Sequence, residues 1–348
     1  MTLRAKPVRA GAHPLAGIAI VESYAPRAPL LLRLAGGLAG RIAADLGADV
    51  TVLEGPDGDP LRRGTGGVFA FLNAGKRFLP AADPSAGRLL RTADAAILDA
   101  GSDRSPDTLP PITALLSPFG PDVDARAASE FTLMALGGLL DLVGDPDREP
   151  LKLAGHQAAY AAGLAAYTGI AAALCRPATR ETVRVHVLDT MVWLNWKSLP
   201  MTLAPPPSRT GADAEWQVLR CADGWVALVY QEPDWPTLRD FVGDPRLFTP
   251  EFATRADRLQ RIGEVARIIE ERFLTLSRRE LHDAALERRL PLGPVWSPCE
   301  VRAEPQSIAR DFPAPAGSNT TLPRLPVIWG GRIFSPGSIP APADEVVA

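Results

Sequence analysis

Cysteine is scarce in this chain. Its three thiols, Cys175, Cys221 and Cys299, stand far apart and in no metal-ligand spacing. That excludes a disulfide framework and a zinc knuckle, and it fits a reducing, cytoplasmic setting. Histidine is hardly more common. His13, His156, His186 and His282 form neither a metal set nor a triad spacing, so no metal site is expected. An excess of one charge is also missing: 37 basic residues against 40 acidic ones leave a net −3. Nothing there argues for nucleic acid or an anionic membrane as a partner. No apolar stretch near the start is long enough for a signal peptide. The longest small-residue run, LKLAGHQAAYAAGLAAYTGIAAAL at residues 151–174, is mostly Ala and Gly and carries His156 and Gln157 near its start. A membrane span needs about 20 strongly apolar residues, so this run reads as a buried helix. Gly-x-Ser-x-Gly, P-loop and His-Glu-x-x-His motifs are absent as well.

What is present is proline, 35 of them, and 30 glycines in 348 residues that are 46% hydrophobic. Prolines 205–207 and those from residue 313 onward suggest stiff connectors. GIAIVES (17–23), ADVTVLE (48–54) and DAAILDA (94–100) read as buried strands. LLLRLAGGLAGRIAADLG (30–47) and AGRLLRTA read as the helices between them. Strands alternating with helices at this pace predict a parallel sheet with helices on its faces. The spacing also predicts helices over 129–144 and 158–174, and a strand running into a helix over 182–196. WQVLRCADGWVALVY is a hairpin around Ala222-Asp223-Gly224, and helical runs follow at 235–242, 255–276 and 277–289. Residues 14–200 are therefore expected to form a large domain and 201–214 a linker. A small domain at 215–303 and a return to the large domain at 304–348 complete the division.

Ala35, Gly37 and Gly40 have the spacing of a dinucleotide fingerprint, and Glu54 ends the next strand. That pattern supports a nicotinamide-dependent oxidoreductase as one alternative. Against it, the glycines fall inside the helix rather than in the turn before it, which suits helix packing. Arg62 and Arg63 in GDPLRR, with Lys76 and Arg77 in FLNAGKR, are cations beside Gly/Pro turns. They are candidates to hold phosphate, or simply charged loops.

Taken in order, PLAGIAIVE, LAGGLAGRIAADLGADVTVLEGPDGDPLRR, FLNAGKR, SPFGP, ALGGLLDLVG, AAGLAAYTGIAAAL, VRVHVLDT, CADGWVAL, LPLGPV, SPCEV and PAPADEVV resemble family III CoA-transferases, the CaiB/BaiF type. The resemblance spans nearly the whole chain. It implies an α/β fold: a large domain with a Rossmann-like parallel sheet formed from both chain ends, a smaller inserted α+β domain, and an interlocked dimer. It also implies CoA transfer between an acyl-CoA and a carboxylic acid, through an aspartate that attacks the thioester. The position of that aspartate, four residues before Gly163, is Ala159. The polar groups nearest in sequence are His156, Gln157 and Tyr160. Racemases of the family use a His–Asp pair, whose His falls at Ser129 beside Glu130; Glu130 is the remaining candidate base. CoA contacts are expected among Glu54, Arg62, Arg63, Asn73, Lys76 and Arg77. The family's Asn-Phe-x-Pro-Gly turn is replaced by DAGSD at 99–103, and Gly55 stands where some transferases carry Arg. Three functions follow: a CoA-transferase with an altered centre, a non-catalytic subunit paired with an Asp-containing homologue, or the oxidoreductase above. No permanently bound cofactor is expected, only CoA or acyl-CoA as ligand, in a homodimer or a heteromer. Whether the chain is itself an enzyme stays open at this point.

Overall fold

A computed structural model describes residues 13–63, 67–102, 104–120, 128–145, 147–176, 180–196, 216–316 and 320–340. The chain divides into two compact units. One comprises residues 1–140, 152–200 and 305–348; the other comprises 141–151 and 201–304.

The first unit is built on β1 (Ala19–Ser23), β2 (Asp49–Glu54), β3 (Arg77–Pro80), β4 (Ala95–Asp99), β5 (Ile112–Ser117) and β6 (Glu181–His186). They form one parallel sheet in the order β3-β2-β1-β4-β5-β6. The order reverses direction between β1 and β4, which opens a crevice outside the strand C-termini. The central strands are almost continuously apolar because helices cover both faces. On one face Ile20, Val50, Ile97 and Ala114 meet α1 (Leu30–Asp45) and α5 (Gln157–Leu174); on the other Val21, Leu53, Ala96 and Leu98 meet α3 (Ala86–Thr92). α2 (Gly67–Asn73) lies between β2 and β3, and α4 (Glu130–Leu136) and α6 (Val187–Leu194) pack together beside α5. All six strands fall between residues 19 and 186. The segment after residue 304 closes the unit by packing Ala316, Leu322 and Phe334 into its core, and among the described residues it adds no strand to that sheet.

α1 and α5 approach closely because both present alanine and glycine. A Cβ built on Gly163 would overlap the backbone carbonyl of Ala35 and touch Leu38 Cβ at 3.0 Å. A backbone oxygen in a packed helix cannot step aside, so Gly163→Ala should cost about 1–3 kcal/mol. Urea denaturation should show this as a lower midpoint at unchanged m-value.

The second unit carries an antiparallel sheet, β7 (Trp216–Cys221), β8 (Gly224–Val229) and β9 (Leu292–Pro294). The hairpin turns at Ala222-Asp223, as its sequence predicts. α7 (Trp235–Val242), α8 (Arg255–Gln260), α9 (Ile262–Phe273) and α10 (Arg278–Arg288) supply Leu238, Ile268, Phe273 and Leu281 to its core. The expected linker lies almost wholly outside the described residues.

Two expectations need correction. The helix expected over 129–144 stops at Leu136. Gly138 takes φ +78°, and Gly137 lies so close to Met191 that a side chain would overlap it. Only a short 3-10 turn, Leu140–Leu142, follows. Strands β3 and β5 were not expected. β3 is a four-residue edge strand ending in proline, and β5 is a short apolar run preceded by Pro110-Pro111.

Candidate functional site

The two ends of Glu130's carboxylate are both engaged. Ser129 caps α4 in a reciprocal bond with Thr132, which places Glu130 in the first turn. From there its Oε1 accepts the backbone N–H of Ala158 at 2.8 Å and that of Ala159 at 3.4 Å. Its Oε2 lies 3.1 Å from His156 Nδ1. His156 is the N-cap residue of α5 but makes no side-chain cap bond, so the capping acceptor comes from Glu130, 26 residues away. A carboxylate at a helix start is favoured by the partial positive charge of the exposed N–H groups. The Glu130 side chain is 10% exposed and that of His156 37%.

Tyr160, one turn into α5, stands edge-on to the imidazole with ring centroids 6.1 Å apart, and its other side meets Phe71. Burial, and then the charge of Glu130, raise its phenol above the ordinary tyrosine value, so it stays protonated. Ala159 is fully buried. Gln157 points away: it is exposed, and its amide donates to Ala154 O at 3.2 Å. Four of the residues singled out at this helix start, Glu130, His156, Ala159 and Tyr160, therefore form one cluster, and Gln157 stands apart from it.

The expected phosphate cations are dispersed. Glu54, buried at the end of β2, accepts the Asp59 N–H and the Arg62 Nε–H, each at 2.9 Å. The Arg62 guanidinium lies over the rings of Phe69 and Phe78 at 4.1 and 4.6 Å. Arg63 is exposed and donates to Asp57 O at 2.7 Å. Asn73 is buried and donates to Phe69 O at 3.1 Å. Lys76 is turned inward: its side chain is fully buried, 2.6 Å from Glu22 Oε1, and it donates to Gly37 O at 2.8 Å. Arg77 pairs with Asp49 at 2.6 Å, both side chains being mostly exposed. The parallel register sets Thr51 beside Arg77 and Glu54 beside Pro80. Arg77 thus lies toward the N-terminal end of β2, and Glu54, Arg62 and Arg63 lie at or beyond the other end. These residues do not make one cradle.

The same ion pair accounts for the AGGLAG motif. A Cβ on Gly40 would overlap the Glu22 carboxylate, and one on Gly36 would overlap Tyr24 Oη. Tyr24 donates to Glu22 Oε2 at 3.0 Å. These glycines sit inside α1 and make room for a buried polar cluster, with none in a turn where a pyrophosphate could approach.

A cavity of about 860 Å³ opens at the C-terminal ends of β1, β4, β5 and β6. Arg27, Arg184, Asp99, Ser117 and His186 are among its walls. Asp99 is spent on its own turn, accepting from Ala25 N, Ser102 Oγ and Gly101 N at 2.7, 2.9 and 3.0 Å. Ser117 donates its one proton to Phe119 O at 2.7 Å, so it accepts from His186 Nδ1 at 2.5 Å. That tautomer leaves His186 Nε2 as an acceptor. Sequence reading passed over this cavity because Ser117 and His186 are neighbours only through the β5–β6 register. The one available signal was a polar residue ending each of two apolar runs.

Among the described residues no group of three His, Cys, Asp or Glu could hold a metal ion. No described helix is long and apolar enough to cross a membrane.

Comparison with known proteins gives a consistent picture. The model of "CoA-transferase family III" matches residues 28–98 and 112–334. A succinate–glutarate CoA-transferase of Agrobacterium fabrum is 28% identical, covering 90% of this chain and 89% of that one. A formyl-CoA:oxalate CoA-transferase of Streptomyces avermitilis is 28% identical over 80% of each. Among solved structures, a CAIB/BAIF family protein from Brucella suis superposes with TM-score 0.81 at 24% identity, covering 94% of this chain and 96% of that one. A hypothetical protein from Mycobacterium tuberculosis gives TM-score 0.78 at 22% identity, over 97% and 99%. These two likenesses speak to the fold.

Proposed function

Because this chain belongs to CoA-transferase family III, we propose that it binds a CoA thioester and handles it through a centre altered from the family's aspartyl design. The observation that carries this reading is Ala159. It holds the place that the family resemblance gives to the nucleophile, and it offers a buried methyl group that cannot form an acyl anhydride. The neighbouring carboxylate, Glu130, already accepts two backbone N–H groups and faces an imidazole. Attack by it would forfeit those bonds. The cavity at the strand ends, with Arg27 and Arg184 in its wall, suits an anionic ligand and supports a place there for part of the CoA molecule. The three cysteines are unbridged, which supports a reducing, cytoplasmic setting.

Ligand that binds only the native state stabilises it, by about 2.7 kcal/mol at a hundred times Kd. Saturating acyl-CoA should therefore raise Tm by about 4 °C. Acetyl-, succinyl- and formyl-CoA all leaving Tm unmoved would contradict the reading.

A second reading is a subunit partnered by another family member. Phe131, Leu136, Trp193 and Trp196, on or just past the packed helices α4 and α6, are each more than half exposed. Apolar surface on this scale fits a second chain, either another copy or an Asp-containing homologue. Native mass measurement after co-expression with such a homologue tests it: a heteromer supports the subunit reading, and a homodimer indifferent to the homologue counts against it.

A further inference from the structure

We propose that His156 is a general base that activates water against the thioester of a bound acyl-CoA, with Glu130 as the positioning residue, so that this chain hydrolyses the thioester. The proposal rests on the CoA-thioester reading above and goes beyond it by assigning an activity and the residues that perform it.

The geometry points to His156 rather than Glu130 as the working group. In the neutral tautomer that suits a carboxylate acceptor, the 3.1 Å contact is an Nδ1–H donated by His156 to Glu130. The lone pair is then on Nε2, the nitrogen on the far side of the ring. Among the described residues no partner occupies it. Glu130 is held by the N–H groups of Ala158 and Ala159 and cannot swing toward a substrate without leaving the start of α5 without its acceptor. Water reaches the imidazole more readily than the acid, the two side chains being 37% and 10% exposed. An orienting acid, a ring fixed at Nδ1 and an accessible Nε2 are the parts that base catalysis needs.

The absence of a nucleophile at position 159 favours water as the attacking group, because a general base with water needs no covalent enzyme intermediate. Tyr160, edge-on to the ring at 6.1 Å between centroids, keeps its proton and is the one hydroxyl donor of this cluster. The water oxygen bonds to the thioester carbon as one of its protons passes to Nε2. The tetrahedral intermediate collapses by breaking the C–S bond, and the imidazolium returns that proton to the departing CoA thiolate. The products are the free acid and CoA thiol; no oxidant, reductant or acceptor acid enters.

The test separates binding from chemistry. Calorimetry with acetyl-, succinyl- and formyl-CoA comes first, followed by thiol release with no carboxylate acceptor present and by mass analysis of the acid formed in ¹⁸O-water. The expected result is thiol release with one ¹⁸O in the acid. His156→Ala should lower kcat about 100-fold or more and leave acyl-CoA binding within about twofold. Added imidazole should restore part of the rate, which a merely structural histidine would not allow. Glu130→Gln, which keeps an acceptor for the α5 N–H groups, should lower kcat about tenfold with KM little changed. If His156→Ala does not fold, His156→Asn takes its place. Bound acyl-CoA with no thiol release overturns the proposal and leaves the CoA reading standing. Release undiminished in the His156 variants, or release only when a carboxylate acceptor is added, also overturns it. No binding of any of the three overturns both.

Discussion

Lys76→Met should destabilise the protein by about 3–5 kcal/mol at neutral pH, a large fraction of the stability of an ordinary domain. The reason is what the substitution leaves behind. Lys76 and Glu22 are both buried, their charged atoms 2.6 Å apart, inside the packing of α1 against β1. Removing the ammonium strands a carboxylate whose remaining donor is the Tyr24 hydroxyl. Burial already raises the Glu22 carboxyl above its ordinary value, and Lys76 is the main force opposing that rise. Without Lys76 the carboxyl rises further. A group that holds its proton more tightly folded than unfolded stabilises the fold while protonated. That advantage is complete below the unfolded value of 4.5 and shrinks as pH climbs toward the folded one. The loss in Lys76→Met should therefore be smaller at pH 5 than at pH 8. The double variant Glu22→Gln/Lys76→Met, which buries no charge, should recover much of it. Urea midpoints of the three proteins at the two pH values check this, and equal losses in the single and double variants would contradict it.

Ala159→Asp is expected to lose about 3 kcal/mol or more at neutral pH rather than simply to regain a nucleophile. The methyl is fully buried, and Glu130 Oε1 is bonded to that residue's own N–H at 3.4 Å. A second carboxylate there would be desolvated and set against the first, and two such acids do not both ionise readily. Ala159→Asn, which adds similar bulk without charge, should cost less, and adding Glu130→Gln should relieve part of the aspartate penalty. Thermal unfolding of the set decides it. Wild-type stability in Ala159→Asp would mean that this position still has room for an acid.

Much of the architecture was legible because β1, β2 and β4 are short, nearly continuous apolar runs bounded by turn residues, and α1 and α5 are apolar runs too long for a strand. β3 and β5 were missed because a run of four to six residues beside proline has too little pattern to separate strand from loop. The stop at Leu136 was missed for a different reason. Gly137-Gly138 within a helical pattern is tolerated as often as not, and only the approach of α6 makes the turn obligatory here. The site was legible in its parts and not in its assembly. His156, Tyr160 and Glu130 stood out as candidates, but their meeting depends on α4 docking at the start of α5. No spacing rule relates residues 130 and 156. The cations were legible as charges and not as free charges. Lys76 and Arg62 look alike beside Gly/Pro turns, yet one neutralises Glu22 inside the core and the other lies against Glu54. The glycines of α1 held the better clue, since three within six residues of a helix mean that something approaches its surface. At Gly36 and Gly40 it is the side chains of a buried polar cluster, Tyr24 and Glu22, and at Gly37 it is Leu72; spacing alone reads the same for these as for a ligand.

The central claim is that acyl groups pass through this centre without an enzyme-bound anhydride. It is tested most directly by intact-mass measurement of the protein mixed with saturating acetyl-CoA and quenched at once, with and without hydroxylamine. The account predicts the unmodified mass in both samples, with no hydroxamate on any carboxylate. A mass gain of an acetyl group or of CoA that hydroxylamine removes, mapped to Glu130 or to another acidic side chain, would contradict it.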